Sequence, residues 1–395
     1  MKRVLLVYPE GDSAHALRII RPLARHLPDL GWKPVLLTQT GQGRTLEIER
    51  IEVDARHVAS TNLNSGPSHP SAIGAARRLA GRLRSIVGRH MVLPDRYIWW
   101  SWIAARRVHQ DSSFQAIFSA GPPHSAHLIG AAYRRRHGVP WVADMRDAWS
   151  TNHYTVYNPF ARRIDRGLER AILKRATRIT TVSAGIAREV AAVHGRPVDC
   201  IPNSFDVEEA EGMPPPSFRP LKLSYAGSLI GGRRDPAKIM DVIAVLRARR
   251  PDLPVRARFA TDLPGLVSTA AHAAGVDDVV ESGGWVARKG VLDMWRDASV
   301  LVLLRWDDPR EADVPTGKLF EYLGARRPIL SMGGPPGVVG EILEDTGGGR
   351  HVETAAEAAS YLEDLAASGW SAPEDLQQFN SAAMAVRFFD LLEAM

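Results

Sequence analysis

Residues 300–331 decide the fold: Val300-Leu-Val-Leu-Leu-Arg305, then Trp306-Asp-Asp-Pro-Arg-Glu-Ala-Asp313, then Val314-Pro-Thr-Gly-Lys-Leu-Phe-Glu321-Tyr-Leu-Gly-Ala-Arg-Arg-Pro-Ile-Leu-Ser331. Val300 to Leu304 is an apolar run of strand length, and the acidic, Pro-containing segment after it reads as a loop. A helix is expected to start near Pro315 or Thr316, and Pro328 to Ser331 reads as the next strand. Strand, loop, helix and strand in this order form the repeating unit of an α/β fold with parallel sheets. The free N–H groups at the start of the helix make its N-terminus an anion site. Lys318 adds a point charge, and Glu321, one turn beyond Gly317, offers acceptors to neutral hydroxyls. The Gly-Lys pair is not a P-loop, because Ala312 stands five residues before Gly317 and Leu319 follows Lys318.

Outward from this unit, short apolar runs alternate with helical stretches along the whole chain, without an internal repeat. In the first half, strands are expected at Val4–Tyr8, Pro34–Thr38, Ala116–Ala120, Trp141–Asp144, Arg178–Val182 and Asp199–Pro202, with helices at Ser13–Leu27, His124–Arg136 and Pro159–Arg175 between them. Glu211-Gly-Met-Pro-Pro-Pro-Ser-Phe-Arg-Pro220 then interrupts all periodicity, as a stiff linker does. Strands resume at Leu221–Ala226, Val255–Ala260 and Val279–Glu281. Phe379, Ala383, Val386, Phe389 and Leu392 fall at helical spacing in a last amphipathic helix. The expected organisation is therefore a domain over 1–210, a linker over 211–220, a second domain over 221–376, and a helix over 377–395 that packs back toward the first domain. Two doubly wound, Rossmann-like domains of this kind are expected to face a central cleft and to bind ligands in the loops after their strands.

Of 395 residues, 45% are apolar and 24% charged, which is ordinary globular composition and excludes a collagen-like or disordered chain. Cys200 is the single cysteine, so no intrachain disulfide or Cys-based metal cluster can form, which fits a reducing, cytoplasmic setting. The start of the chain reads as a first strand rather than a secretory leader. No stretch approaches the roughly 18 apolar residues of a spanning helix. Charge is unevenly spread: residues 1–200 hold 30 Lys and Arg against 15 Asp and Glu, and residues 201–395 hold 20 against 29, within a net +6. Such an excess can steer nucleic acid, an anionic membrane surface or a phosphorylated substrate. It is densest at Arg77, Arg78, Arg82, Arg84, Arg89, Arg96, Arg106 and Arg107, around Tyr97-Ile-Trp-Trp-Ser-Trp102. That basic and aromatic face is a candidate for contact with anionic lipid, for packed core, or for the wall of an acceptor groove.

Three further clusters carry chemistry. Tyr225-Ala-Gly-Ser-Leu-Ile-Gly-Gly-Arg-Arg-Asp-Pro-Ala-Lys238 runs from a strand through a Gly-rich loop into a helix. Its amides with Arg233, Arg234 and Lys238 can neutralise a diphosphate. Ser119-Ala-Gly-Pro-Pro-His-Ser-Ala-His127 presents His124 at a helix start, where the helix dipole is expected to lower its pKa; no third ligand joins His124 and His127, so no metal site is expected. Trp141-Val-Ala-Asp-Met-Arg-Asp-Ala-Trp149 sets Asp144, Arg146 and Asp147 on the end of an apolar strand, either to line a cleft or to pair internally. Neither a Gly-x-Ser-x-Gly elbow nor a His-Glu-x-x-His motif is present, and there is no Asp-x-Asp triplet to hold a divalent metal.

In this order, the clusters resemble retaining glycosyltransferases of the GT-B fold, family 4, over nearly the whole chain. The most specific elements are Val314-Pro-Thr-Gly-Lys-Leu-Phe-Glu-Tyr-Leu and Arg327-Pro-Ile-Leu, supported by Ser-Ala-Gly-Pro-Pro-His-Ser, Met-Arg-Asp-Ala-Trp, Thr181-Val-Ser and Ile201-Pro-Asn203. The resemblance implies a nucleotide-diphosphate sugar held by the C-terminal domain and a hydroxyl acceptor held by the N-terminal domain. Glu321 then looks like the acid that binds the ribose hydroxyls, and Asp313, in place of the family's glutamate, like the acid facing the transferred sugar. Arg233 or Arg234 with Lys238 look like the diphosphate cations, with Gly227, Pro315, Thr316, Gly317 and Lys318 completing the cradle. Trp285 and Val286 resemble the segment flanking the base. The Glu10-Gly11-Asp12 loop departs from the family's paired glycines. His124 would position the sugar, and Asp144 or Arg146 would orient the acceptor.

The resemblance implies no resident cofactor and no metal requirement. A GT-B-fold nucleotide-sugar epimerase, or a relative that binds the nucleotide without transfer, shares these features. No nucleic-acid-binding module is visible. The expected location is the cytoplasm, with the inner face of the membrane as the site of any peripheral contact.

Overall fold

Val4 to Val7 and Val35 to Leu37 are continuous apolar runs that the chain buries completely, as it can only in strands covered on both faces. The computed structural model describes residues 1–11, 13–41, 46–54, 93–155 and 158–395. Arg77, Arg78, Arg82, Arg84 and Arg89, and Asp12, lie outside the described residues.

The two runs belong to a parallel sheet of β1 (Lys2–Val7), β2 (Trp32–Gln39), β3 (Glu49–Val53), β4 (Ala116–Gly121), β5 (Trp141–Met145), β6 (Arg178–Thr181) and β7 (Asp199–Cys200), in the order β3-β2-β1-β4-β5-β6-β7. A second parallel sheet comprises β8 (Leu221–Ala226), β9 (Val255–Ala260), β10 (Val280–Gly283), β11 (Val300–Leu304), β12 (Ile329–Met332) and β13 (Gly349–Val352), in the order β10-β9-β8-β11-β12-β13. Helices connect most of the strands, so the fold is α/β. Their starts follow local chemistry. Asn158 caps Pro159–Leu173 by accepting from the Ala161 N–H, and Ser183 caps Ala184–His194 by accepting from Ile186. Each sheet reverses its winding once, between β1 and β4 and between β8 and β11. The carboxyl ends of those strands are the switch points at which such sheets bind ligands.

The chain divides into two compact units, Met1–Pro202 with Met384–Met395, and Asn203–Ala383. The Pro-rich segment 211–220 thus lies inside the second unit. The chain enters that unit earlier because the Phe205 N–H donates to Phe379 O at 2.9 Å and Phe205 bridges to Asn380. The expected helix over 377–395 is two elements, a 3₁₀ turn at Gln377–Phe379 and an α-helix at Ser381–Glu393. The first unit's core includes Met384, Phe388 and Leu392 of that helix with Val4, Leu6 and Phe118. The rings of Phe118 and Phe388 meet edge to face at 4.9 Å, and Glu393 accepts from Lys2 and from the Trp32 indole, each at 2.8 Å. No described helix is long and apolar enough to cross a membrane.

Candidate active site

In the second unit, the loops after β8 and β11 converge. Gly227 follows β8 with φ +145°, and a Cβ there would stand 1.9 Å from the Lys318 Nζ. The ammonium therefore lies directly against this backbone, 4.2 Å from the Tyr225 ring centroid. Lys318 is the second residue of the helix Gly317–Gly324, capped by Thr316, whose buried hydroxyl makes no hydrogen bond. Buried Pro315 precedes it. Arg233 lies over the Trp306 ring at 4.4 Å, Arg234 donates to Ser228 O at 3.3 Å, and Lys238 pairs with Asp307 at 2.9 Å. Four cations are thus gathered around one pair of loops.

Arg305 fixes the second loop. Fully buried at the end of β11, it donates to Pro335 O, to Pro336 O at 3.1 Å and to Glu311 O. Glu321 is largely buried, and its Oε1 is 3.6 Å from Arg288 Nη1. Arg288 opens the helix Arg288–Asp297, lies over Trp295 at 4.7 Å and also pairs with Glu209. Asp313 is exposed at the end of the 3₁₀ turn Pro309–Asp313, and Trp285 and Val286 are exposed ahead of Arg288. Sequence reasoning missed Arg288, Arg305, Trp306 and Asp307. For Arg305 a signal existed, since a charged residue directly continues a five-residue apolar strand.

In the first unit, the loops after β1 and β4 meet where the Tyr8 hydroxyl donates to Pro122 O at 3.1 Å. Glu10 accepts from Tyr97 at 2.6 Å and from Arg96 at 2.9 Å. His124 stacks on Trp149, with centroids 5.0 Å apart and planes 3° from parallel. Burial pushes its pKa down to about 4, against the raising effects of Asp95 and Glu169. The expected direction holds, but its leading cause is burial rather than the helix dipole. His127 is buried deeper, its Nδ1 2.9 Å from the Ser119 hydroxyl, which accepts from the Trp141 indole at 2.8 Å. Among the described residues, no three His, Cys, Asp or Glu are grouped as a metal ion would need.

Asp144 and Arg146 do not line an open surface. Asp144 is fully buried, pairing with Arg146 at 2.6 Å and accepting from Thr180 at 2.7 Å. Burial raises the Asp144 pKa against the opposing pull of Arg146 and Thr180. Arg146 in turn reaches Met384 Sδ at 3.7 Å. The internal ion pair is the arrangement found.

A family comparison matches residues 16–204 to the glycosyl transferase 4-like domain. Comparison with curated protein sequences gives no match. Among solved structures, the chain is similar to HepE of Anabaena in complex with UDP and glucose, at 12% identity and TM-score 0.61 over 100% of both chains. It is also similar to the catalytic domain of starch synthase IV from Arabidopsis thaliana bound to ADP and acarbose, at 10% identity and TM-score 0.62 over 100% of this chain and 99% of that one. A glycosyltransferase from Rickettsia africae matches at 11% identity and TM-score 0.60, over 100% and 98%. At such identities these likenesses establish the fold. Residues 16–204 thus match a glycosyl transferase 4-like domain, and the two doubly wound parallel sheets carry the GT-B fold of these solved structures.

Proposed function

We propose that the chain moves a glycosyl group from a nucleoside-diphosphate sugar to a hydroxyl acceptor, with retention of configuration and without a metal ion. The observation that carries this reading is the Lys318 ammonium against the Gly227 backbone, with Arg233, Arg234 and Lys238 on the same pair of loops. Those cations, the Gly317 amide and the Thr316 hydroxyl are the donors that meet the diphosphate, after Pro315 turns the chain into the helix, while the Gly227 N–H is held by Ala260 O at 2.8 Å. In many enzymes, fixed donors aimed at developing charge contribute more to the rate than any other effect. Glu321 accepts from the ribose hydroxyls, Asp313 faces the transferred sugar, and Trp285 and Val286 flank the base. HepE and starch synthase IV were solved with UDP and glucose and with ADP, which supports a nucleoside-diphosphate donor.

In the transfer, the bond from the anomeric carbon to the phosphate oxygen breaks, and a bond to the acceptor oxygen forms on the same face. The acceptor proton passes to the leaving phosphate oxygen, so no side chain has to act as base. The first unit is assigned the acceptor. His124, neutral above about pH 4, hydrogen-bonds the sugar as an uncharged imidazole. Exposed Trp99 and Trp102 on the helix Ile98–Val108, with Arg106 3.3 Å from the Trp102 ring, dock this unit on anionic lipid at the inner face of the cytoplasmic membrane.

The test is a thermal-shift panel of UDP, GDP, ADP, dTDP and their common sugars, with and without EDTA, followed by NMR of the product's anomeric configuration. A ligand at about 100 times its dissociation constant adds about 2.7 kcal/mol of stability. One base giving a shift that survives EDTA, and a product with the donor's anomeric configuration, are expected. Loss of activity in EDTA would overturn metal independence. A sugar altered while still attached to its nucleotide would replace transfer with epimerisation.

A further inference from the structure

Trp306 and Asp307 are consecutive, and each holds a cation from the segment after β8, Arg233 in the loop and Lys238 at the start of the helix Ala237–Arg249. The Arg233 guanidinium lies on the Trp306 ring at 4.4 Å, and Arg310 lies against the same ring at 5.7 Å. The Lys238 ammonium pairs with Asp307 Oδ2 at 2.9 Å, while Asp307 Oδ1 accepts from the Gly334 N–H at 2.9 Å. Asp307 is anchored through both oxygens although its side chain is 59% exposed. The two holds differ in kind. A ring face orders a guanidinium without adding charge, whereas a carboxylate carries the same sign as a phosphate.

We propose that Asp307 competes with the donor's diphosphate for Lys238, weakening nucleoside-diphosphate binding and hastening release of the product nucleotide. The inference rests on the donor reading given above. To meet a diphosphate, Lys238 must leave Asp307 or share its ammonium with it, and in both cases the carboxylate stays close to an incoming group of like charge. Asp307 also orders Lys238 before the donor arrives, but an exposed ion pair contributes little. Repulsion from a group with two or more negative charges therefore decides the sign. Trp306 orders Arg233 without such opposition, so of the two neighbouring residues only Asp307 limits affinity. Departure of the product is a frequent limit on turnover, which gives this arrangement a use.

The test compares the full-length wild type with Asp307→Asn, which keeps an acceptor for the Gly334 N–H and removes the charge. Titration calorimetry uses whichever of UDP, ADP, GDP and dTDP binds the wild type, and stopped-flow measures its dissociation. Asp307→Asn should bind roughly two- to fivefold tighter at low salt, release the nucleotide correspondingly more slowly, and lose the advantage at high salt. The unphosphorylated nucleoside should bind both proteins alike. Asp307→Ser, also uncharged, repeats the comparison if the first variant folds poorly. Equal or weaker diphosphate binding by the variants, beside clear wild-type binding, would overturn the inference alone. Failure of the wild type to bind any of the four would overturn the donor reading beneath it.

Discussion

Arg288 Nη1 stands 3.6 Å from Glu321 Oε1, and the same guanidinium pairs with Glu209. One cation serves two carboxylates on different elements, so the orientation of Glu321 is set before any ligand binds. Arg288→Met should raise the donor KM about tenfold, with kcat changed far less, and lower stability by about 1–2 kcal/mol through the two carboxylates left behind. Arg288→Lys should restore part of the KM. Steady-state kinetics decide it: an unchanged KM in Arg288→Met would remove Arg288 from the donor site.

Gly227→Ala should act through Lys318. The added Cβ meets the ammonium end of a flexible side chain, so the lysine must move, and φ +145° adds backbone strain of about 1–3 kcal/mol. Nucleotide affinity should fall on the order of tenfold. If the loss comes from displacing Lys318, then Lys318→Ala should cost much less in the Gly227→Ala background than alone. Additive losses in calorimetry would separate the two residues.

Acid should unfold the first unit partly through His124. Its folded pKa is about 4, below the usual 6.5. The unfolded chain takes up the proton first, so stability is full above pH 6.5 and falls as the pH drops toward 4, by on the order of 3 kcal/mol. Asp165, raised to about 6 mainly by burial, works in the other direction. Its contribution is present below about pH 4 and lost as the pH rises through 6. Between pH 4.5 and 7.5 the two contributions largely cancel in the wild type, so by urea unfolding stability should fall with rising pH in His124→Gln and rise with pH in Asp165→Asn. A His124→Gln profile parallel to the wild type would contradict the assignment.

Trp99 and Trp102 are 58% and 53% exposed on one helix, and Arg106 beside Trp102 supplies charge. Sedimentation with phosphatidylglycerol vesicles should recover the wild type, and replacing both tryptophans with serine should weaken recovery at least about tenfold. Pure phosphatidylcholine should recover much less of either protein. Equal recovery of wild type and variant would place lipid contact elsewhere.

The strands with continuous apolar runs, such as Val4–Val7 and Val300–Leu304, were legible because burial on both faces leaves only one kind of residue in them. Two edge strands were not. Glu49-Arg-Ile-Glu-Val53 and Gly349-Arg-His-Val352 pair on one side only, so their composition resembles that of loops. The loops carrying Lys318 and Gly227 could each be marked in the sequence, but their contact follows from the strand order, which places β8 beside β11. Arg288 reads as an ordinary helix-start residue until Glu209 and Glu321 are brought to it. Asp144 and Arg146 left two readings open, since the helix that Arg146 reaches lies 238 residues along the chain. The Pro-rich segment misled on the boundary for a related reason: composition marks stiffness, whereas the pairing of Phe205 with Asn380 determines where the second unit begins.

The first unit consists of two pieces of chain, with the whole second unit encoded between them. During synthesis, its sheet emerges first, yet the core face of Val4, Leu6 and Phe118 awaits Met384, Phe388 and Leu392. The earlier-made unit is thus completed later, and its apolar face stays open to water, or to a chaperone, while the second unit is translated. A fragment ending at Pro202 would carry that face permanently uncovered.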